Sequence, residues 1–300
     1  MMHNVMNTSL LIPVFLVGTL HLTYGAVAAT PPPSSSLEEA EKNAKTCEER
    51  YNSRKFTEAF KICHPLAEQG FAPVQHLVGI MYLRGEGTKK DATEAMKWFQ
   101  RAAEQNHAAA QVNLGIGYYG GQGVKKDVAQ TVHWFRKAAE LGDLDALCNM
   151  GHLYYKGEGV KKDFVEAAQW YEKAAKRGYI WAQDSLGLMY YKGEGVKQDF
   201  SQAFSWFKQA AEKGLENAQY NLAVMYYKGE SVPKDVKESK KWLNKAAEKG
   251  HLLAIDFLKL LVEQEATTDS KQETSTTSKE KPKEKEEDHP HSSSQPSTPK

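Results

Sequence analysis

No H-E-x-x-H, no C-x-x-C and no other metal-ligand spacing occurs in the 300 residues of this chain. Nor do a nucleophile, a base and an acid stand together in a motif. The histidines at positions 64, 76, 107, 133, 152 and 251 are scattered singly. A lone histidine on a helix is more often solvated or satisfied than catalytic. His289 and His291 have no third partner and read as tail. The chain therefore reads as a non-enzyme without metal or other cofactor.

Charge of one sign is also missing. There are 39 basic and 38 acidic residues, a net of +1, which leaves no electrostatic footprint for nucleic acid or for a bilayer-seeking basic surface. The longest apolar run, Leu10 to Leu22, is broken by Pro13, Gly18, Thr19 and His21 and is too short to span a bilayer comfortably. Small residues follow it, Gly25 to Ala29, so residues 1–29 read as a secretory signal. That predicts a secreted or periplasmic protein, or one in the endoplasmic reticulum lumen of a eukaryote, with no stable membrane insertion after cleavage. An uncleaved N-terminal anchor is the second reading, because no Lys or Arg precedes the run.

Cysteine is scarce: Cys47, Cys63 and Cys148. The midpoint of the first two is residue 55, in a predicted turn between two helices, so they can face each other across an antiparallel hairpin. In an oxidising compartment they are expected to form a disulfide, a closure worth about 3 kcal/mol in the loop-entropy model. Nothing in the pattern gives Cys148 a partner.

What the chain does have is a period. Trp98, Trp134, Trp170, Trp206 and Trp242 stand 36 residues apart, and the segment Asp143 to Gly178 is one complete unit. A fixed period of this length signals a stacked repeat, each unit burying its apolar face against its neighbours. Five units fill residues 71–250. Residues 30–36 (TPPPSSS) read as a linker, 37–70 as a divergent helix pair capping the array, 251–265 as a lone capping helix, and 266–300 as a disordered polar tail.

Within a unit the first helix carries Ala, Leu or Met, and Tyr at spacings of four, as in Ala146, Met150 and Tyr154. That spacing keeps them on one face. A glycine recurs in the same helix (Gly79, Gly115, Gly151, Gly187) and costs about 1 kcal/mol against Ala, so two backbones are expected to approach there. A loop such as KGEGVKKD follows. It recurs in every unit and lies between helices, which argues for a turn and against a phosphate cradle. Asp91, Asp127, Asp163, Asp199 and Asp235 stand where a second helix needs its N-cap.

These residues resemble the Sel-one-like repeat, a relative of the tetratricopeptide repeat. The A-x-x-x-L-G-x-x-Y run, the G-x-G-V-x-x-D loop and the W-[FY]-x-x-A-A-x-x-G closure carry the resemblance. Gly117, Gly120, Ser231 and Pro233 depart from it. The resemblance implies an all-α, right-handed superhelical solenoid of antiparallel helix pairs, with the first helices lining the concave face. It also implies a scaffold or adaptor binding a protein or peptide, here expected as a monomer. Some cysteine-rich relatives make a β-lactam or cell-wall-fragment binder or hydrolase a second reading, and a cell-envelope structural protein is a third.

Binding residues are sought where the occupant varies while the frame stays fixed. One such position holds His76, Asp184 and Tyr220, another holds His152, and the loop end of the helix carries Tyr119, Tyr155, Tyr191 and Tyr227 beside Lys156 and Lys192. Trp181 is the one Trp outside the periodic position. Together these form the expected groove, tyrosine supplying a broad apolar face with a polar tip. The competing reading is that the Tyr ladder is packing between units and that Trp181 covers a seam.

Overall fold

The computed structural model describes residues 34–276, with side chains from Glu39 to Gln264. The expected signal, residues 30–33 and the chain beyond Thr276 lie outside the described residues. Helices α1 (Ser34–Asn52) and α2 (Phe56–Glu68) form the N-terminal pair. Five pairs follow: α3 (Ala72–Arg84) with α4 (Ala92–Glu104), α5 (Ala108–Gly120) with α6 (Val128–Glu140), and α7 (Leu144–Lys156) with α8 (Phe164–Lys176). The fourth and fifth are α9 (Ile180–Lys192) with α10 (Phe200–Glu212), and α11 (Glu216–Lys228) with α12 (Val236–Glu248). A single helix, α13 (Leu252–Thr276), ends the array. Each helix packs on its neighbours in sequence, and among the described residues there is no strand. The architecture is a helical-repeat solenoid.

Inside a unit the two helices meet through a glycine and a ring. A Cβ built on Gly79 would lie 2.6 Å from the Phe99 ring, and on Gly115, Gly151 and Gly187 it would lie 2.5–2.8 Å from the rings of Phe135, Tyr171 and Phe207. This corrects the expectation of two backbones in contact: the glycine makes room for an aromatic side chain of the second helix. The fifth unit changes both partners, with Ala223 opposite Leu243, and both are 0% exposed.

The connecting loops are built by two devices. Each first helix closes on a left-handed glycine, Gly157 in the third unit. In the fourth unit, two residues after the matching Gly193, Gly195 lies so close to the Phe164 carbonyl of the preceding unit that a side chain there would collide with it. Thus the loop of each unit docks on the first turn of the second helix before it. The Asp caps form as expected: Asp163 Oδ1 accepts from the backbone N–H groups of Val165 and Glu166 at 2.9 and 3.1 Å.

At the N-terminal end Cys47 and Cys63 form the expected disulfide, with Cα atoms 5.3 Å apart, and Cys148 is a buried free thiol. Both ends differ from the sequence-based boundaries. Helix α1 starts inside the stretch read as linker, at Ser34. Helix α13 runs on to Thr276, into the segment expected to be disordered. Propagating a formed helix fixes one residue per new hydrogen bond, with no second nucleation cost. The Glu, Gln, Lys and Ala residues there are good helix formers.

A Gly187→Ala substitution is expected to lower stability by about 1–3 kcal/mol, because the overpacking against Phe207 outweighs the gain in helix propensity. Adding Phe207→Leu, the combination found in the fifth unit, is expected to restore part of the loss. Urea unfolding of the two variants measures both.

Candidate functional site

The packing leaves the first helices almost wholly covered. Apart from residues at the two ends of these helices, what remains partly exposed on them falls along one stripe at spacings of four and three, which share a helical face. In the second unit the stripe holds Ala109, Asn113 and Ile116; in the third, Asp145, Asn149 and His152; in the fourth Trp181 alone, since Ser185 and Leu188 are 2% and 3% exposed. The position of Asn113 and Asn149 escaped the sequence reading. Its signal was a polar residue amid apolar neighbours: Asn113, Asn149, Ser185 and Asn221 occupy it in successive units.

His76, Asp184 and Tyr220 are not on this stripe, which corrects their expected exposure. They are 8%, 2% and 2% exposed. Their position points sideways at the first helix of the next unit. The amide of Asn113 lies 2.8 Å from the His76 Nε2, and Asn221 Nδ2 donates to Asp184 Oδ1 at 3.0 Å. Tyr220 stacks on the His251 ring with centroids 4.9 Å apart. These are rungs between units.

The tyrosines at the loop end also reach across. The hydroxyls of Tyr119 and Tyr155 donate to Glu158 and Glu194 in the next loop at 2.6 and 2.7 Å. Tyr191 does the same to Glu230 at 3.2 Å and accepts from Lys228 Nζ at 2.8 Å. Tyr227 donates to Gln264 of α13 at 3.3 Å. The first unit has Leu83 in the tyrosine position and the second has Gln122 in the glutamate position, so both partners of that clasp change together. All four rings stay half-buried. The Tyr119 hydroxyl is pushed up to about 12 by its bond to Glu158 and by burial, so it works as a neutral donor. Lys156 is exposed and Lys192 half-buried, both in the last turn of their helices, where a cation suits the helix dipole.

A second ladder runs through the interior. Gln75, Gln111, Gln183 and Gln219 each send Nε2 to the carbonyl of Ala67, Ala103, Ala175 and Ala211, at 3.0–3.1 Å. Each adds a second donor to a carbonyl in the last turn of the preceding second helix, which already accepts the backbone N–H of the residue three on, Gly178 in the case of Ala175. Leu147 replaces the glutamine in the third unit.

Trp181 is half-buried and packs against the apolar clusters on both sides of its unit. His152 is half-buried, and burial pulls its pKa down, so the imidazole is neutral near pH 7. Among the described residues no group of three or more His, Cys, Asp or Glu side chains could hold a metal ion. No helix among them is long and apolar enough to cross a membrane.

Comparison with known proteins agrees with this geometry. The model of the Sel1 repeat matches residues 72–107, 108–143, 144–179, 182–215 and 217–251. The chain belongs to the Sel1 repeat family. It is similar to a Sel1 repeat protein of known structure from Oxalobacter formigenes, at 38% identity and a TM-score of 0.69. That likeness covers 72% of this chain and 86% of the other. It is also similar to c5321, a protective antigen present in uropathogenic Escherichia coli strains, at 36% identity and a TM-score of 0.69. The match covers 77% of this chain and spans only about half of that protein, 52%. Comparison with curated protein sequences gives no match.

Burial pushes the Asp184 carboxyl up to about 7, partly opposed by its bond from Asn221. An unfolded Asp titrates near 4. The folded state therefore keeps a proton that the unfolded chain has released, and this contribution to stability is lost as pH rises through about 7. Asp184→Asn is expected to raise stability at pH 8 by on the order of 2 kcal/mol, with the gain shrinking toward pH 4. Unfolding curves across that range test it.

Proposed function

We propose that this Sel1-repeat scaffold is an exported adaptor that holds an extended protein or peptide segment along the open stripe of its first helices. The observation that carries the reading is that Asn113, Asn149, His152 and Trp181 stay partly exposed on helices whose middle turns are mostly buried. Asparagine offers both donor and acceptor to a peptide backbone, and tryptophan a large apolar contact, a pairing suited to binding main chain with modest sequence preference. Tyr119, Tyr155, Tyr191 and Tyr227, with Lys156 and Lys192, form the edge of this surface, while their hydroxyls hold the units together. Export is supported by the disulfide in the N-terminal pair and by the antigen description of the Escherichia coli relative.

A displayed random-peptide library is expected to yield ligands for the wild-type chain. Asn149→Ala, His152→Ala and Trp181→Ala together are expected to weaken the selected ligands at least about tenfold, or about 1.4 kcal/mol, with the helical signal and melting curve little changed. Glu140→Ala, exposed on the second helix α6 and not on a first helix, is expected to bind normally. Equal binding by wild type and the triple variant would defeat the proposal.

A further inference from the structure

Helix α13 occupies the place of a first helix, and no second helix among the described residues covers it. The face this leaves open is apolar: with Ala247 of α12, Ile255, Leu258 and Val262 line a cavity of about 470 Å³ rimmed by Lys259 and Glu263. Val262 is 61% exposed. In the five complete units the matching face carries the glycine or alanine that receives a side chain of the second helix. Here that position is Lys259, which closes the site to a helix of the repeat type.

The C-terminal tail does not supply a cover. Residues 277–300 contain no Ala, Val, Ile, Leu, Met, Phe, Trp, Tyr or Cys, and their four prolines are the only apolar side chains they could bury there. At the other end of the array the surface of α1 that meets solvent is Glu39, Glu41, Lys42, Asn43 and Lys45, a poor match for an apolar groove. End-to-end stacking of copies is thereby disfavoured.

One occupant fits the shape and the charges, and it is the same helix in another molecule. We propose that α13 is a homodimerisation helix, pairing antiparallel with α13 of a second copy about a twofold axis between Leu258 and Val262. In that arrangement Leu258 of each copy meets Val262 of the other, and Lys259 of each lies beside Glu263 of the other. A two-fold interface requires such self-complementarity. Among the described residues Lys259 pairs with Asp256 at 3.5 Å, with both side chains 70% exposed, a pair too solvated to compete strongly. Helix α13 has 25 residues where α3, α5, α7, α9 and α11 have 13. The extra length gives a partner helix something to lie along. One helix face buries less than the roughly 1,000 Å² expected of a stable interface, so the dimer is weak and concentration-dependent. It replaces the monomer expected from sequence and leaves the binding stripe of each copy free.

Sedimentation velocity of the full chain over about 5–200 μM, a span that brackets a weak dimer, is expected to show monomer passing into dimer. Val262→Glu, at an exposed site that should not disturb folding, is expected to leave monomer throughout. Lys259→Glu and Glu263→Lys alone are each expected to weaken the dimer about tenfold, and the double exchange to recover it. An equimolar mixture of the two single variants should associate more tightly than either alone. A chain that stays monomeric across the range overturns the proposal and points to a different protein on this face. So does a dimer that Val262→Glu leaves intact, which would place the interface elsewhere.

Discussion

An aromatic ring lying on a glycine sets the distance between the two helices of a unit, and the rest of the solenoid follows from that distance. Gly151 with Tyr171 and Gly187 with Phe207 bring the first helix close enough for its alanines to reach the second. The glycine gives up about 1 kcal/mol of helix propensity. The buried aromatic surface returns more than that. Where the ring is lost, at Leu243, the glycine is lost too, at Ala223. The two positions behave as one.

Units joined this way still have open flanks, and the seams between them are not alike. The seam between the fourth and fifth units carries Tyr191 to Glu230, Gln219 to Ala211 and Asn221 to Asp184, and Lys249 caps the Gly214 carbonyl. Between the first and second units the tyrosine clasp is absent, and Gln111 to Ala103 and Asn113 with His76 remain. Between the second and third the clasp is present and Arg177 caps the Gly142 carbonyl, but Leu147 takes the place of the glutamine. A net contribution of about 1 kcal/mol per hydrogen bond makes the C-terminal side of the array the firmer one. Gly117 and Gly120, two further glycines in α5, add to the difference.

Much of this was legible before any coordinates. Period, helix pairing and Asp caps follow from local rules that recur in every unit, and the Cys47–Cys63 bond from the symmetry of a single hairpin. The direction of a side chain around the first helix was harder to read. His76, Asp184 and Tyr220 vary from unit to unit, as a binding position would, yet they vary because each seam solves its own packing problem. The Tyr119, Tyr155 and Tyr191 ladder showed its regularity in sequence, but its partners lie 39 residues away in the next loop, beyond any local pattern. Asn113 and Asn149 were hidden for the opposite reason: a near-constant polar residue looks like frame. The length of α13 depended on propagation from a packed nucleus, which composition alone does not reveal.

The central claim is that unequal seams, rather than distance from the ends, grade the stability of the array. The second and fourth units sit symmetrically about the third, so they separate the two ideas. Amide hydrogen exchange followed helix by helix in the full chain is the direct measurement. The account predicts slower exchange in α9 than in α5. Equal protection of the two helices, or slower exchange in α5, would contradict it.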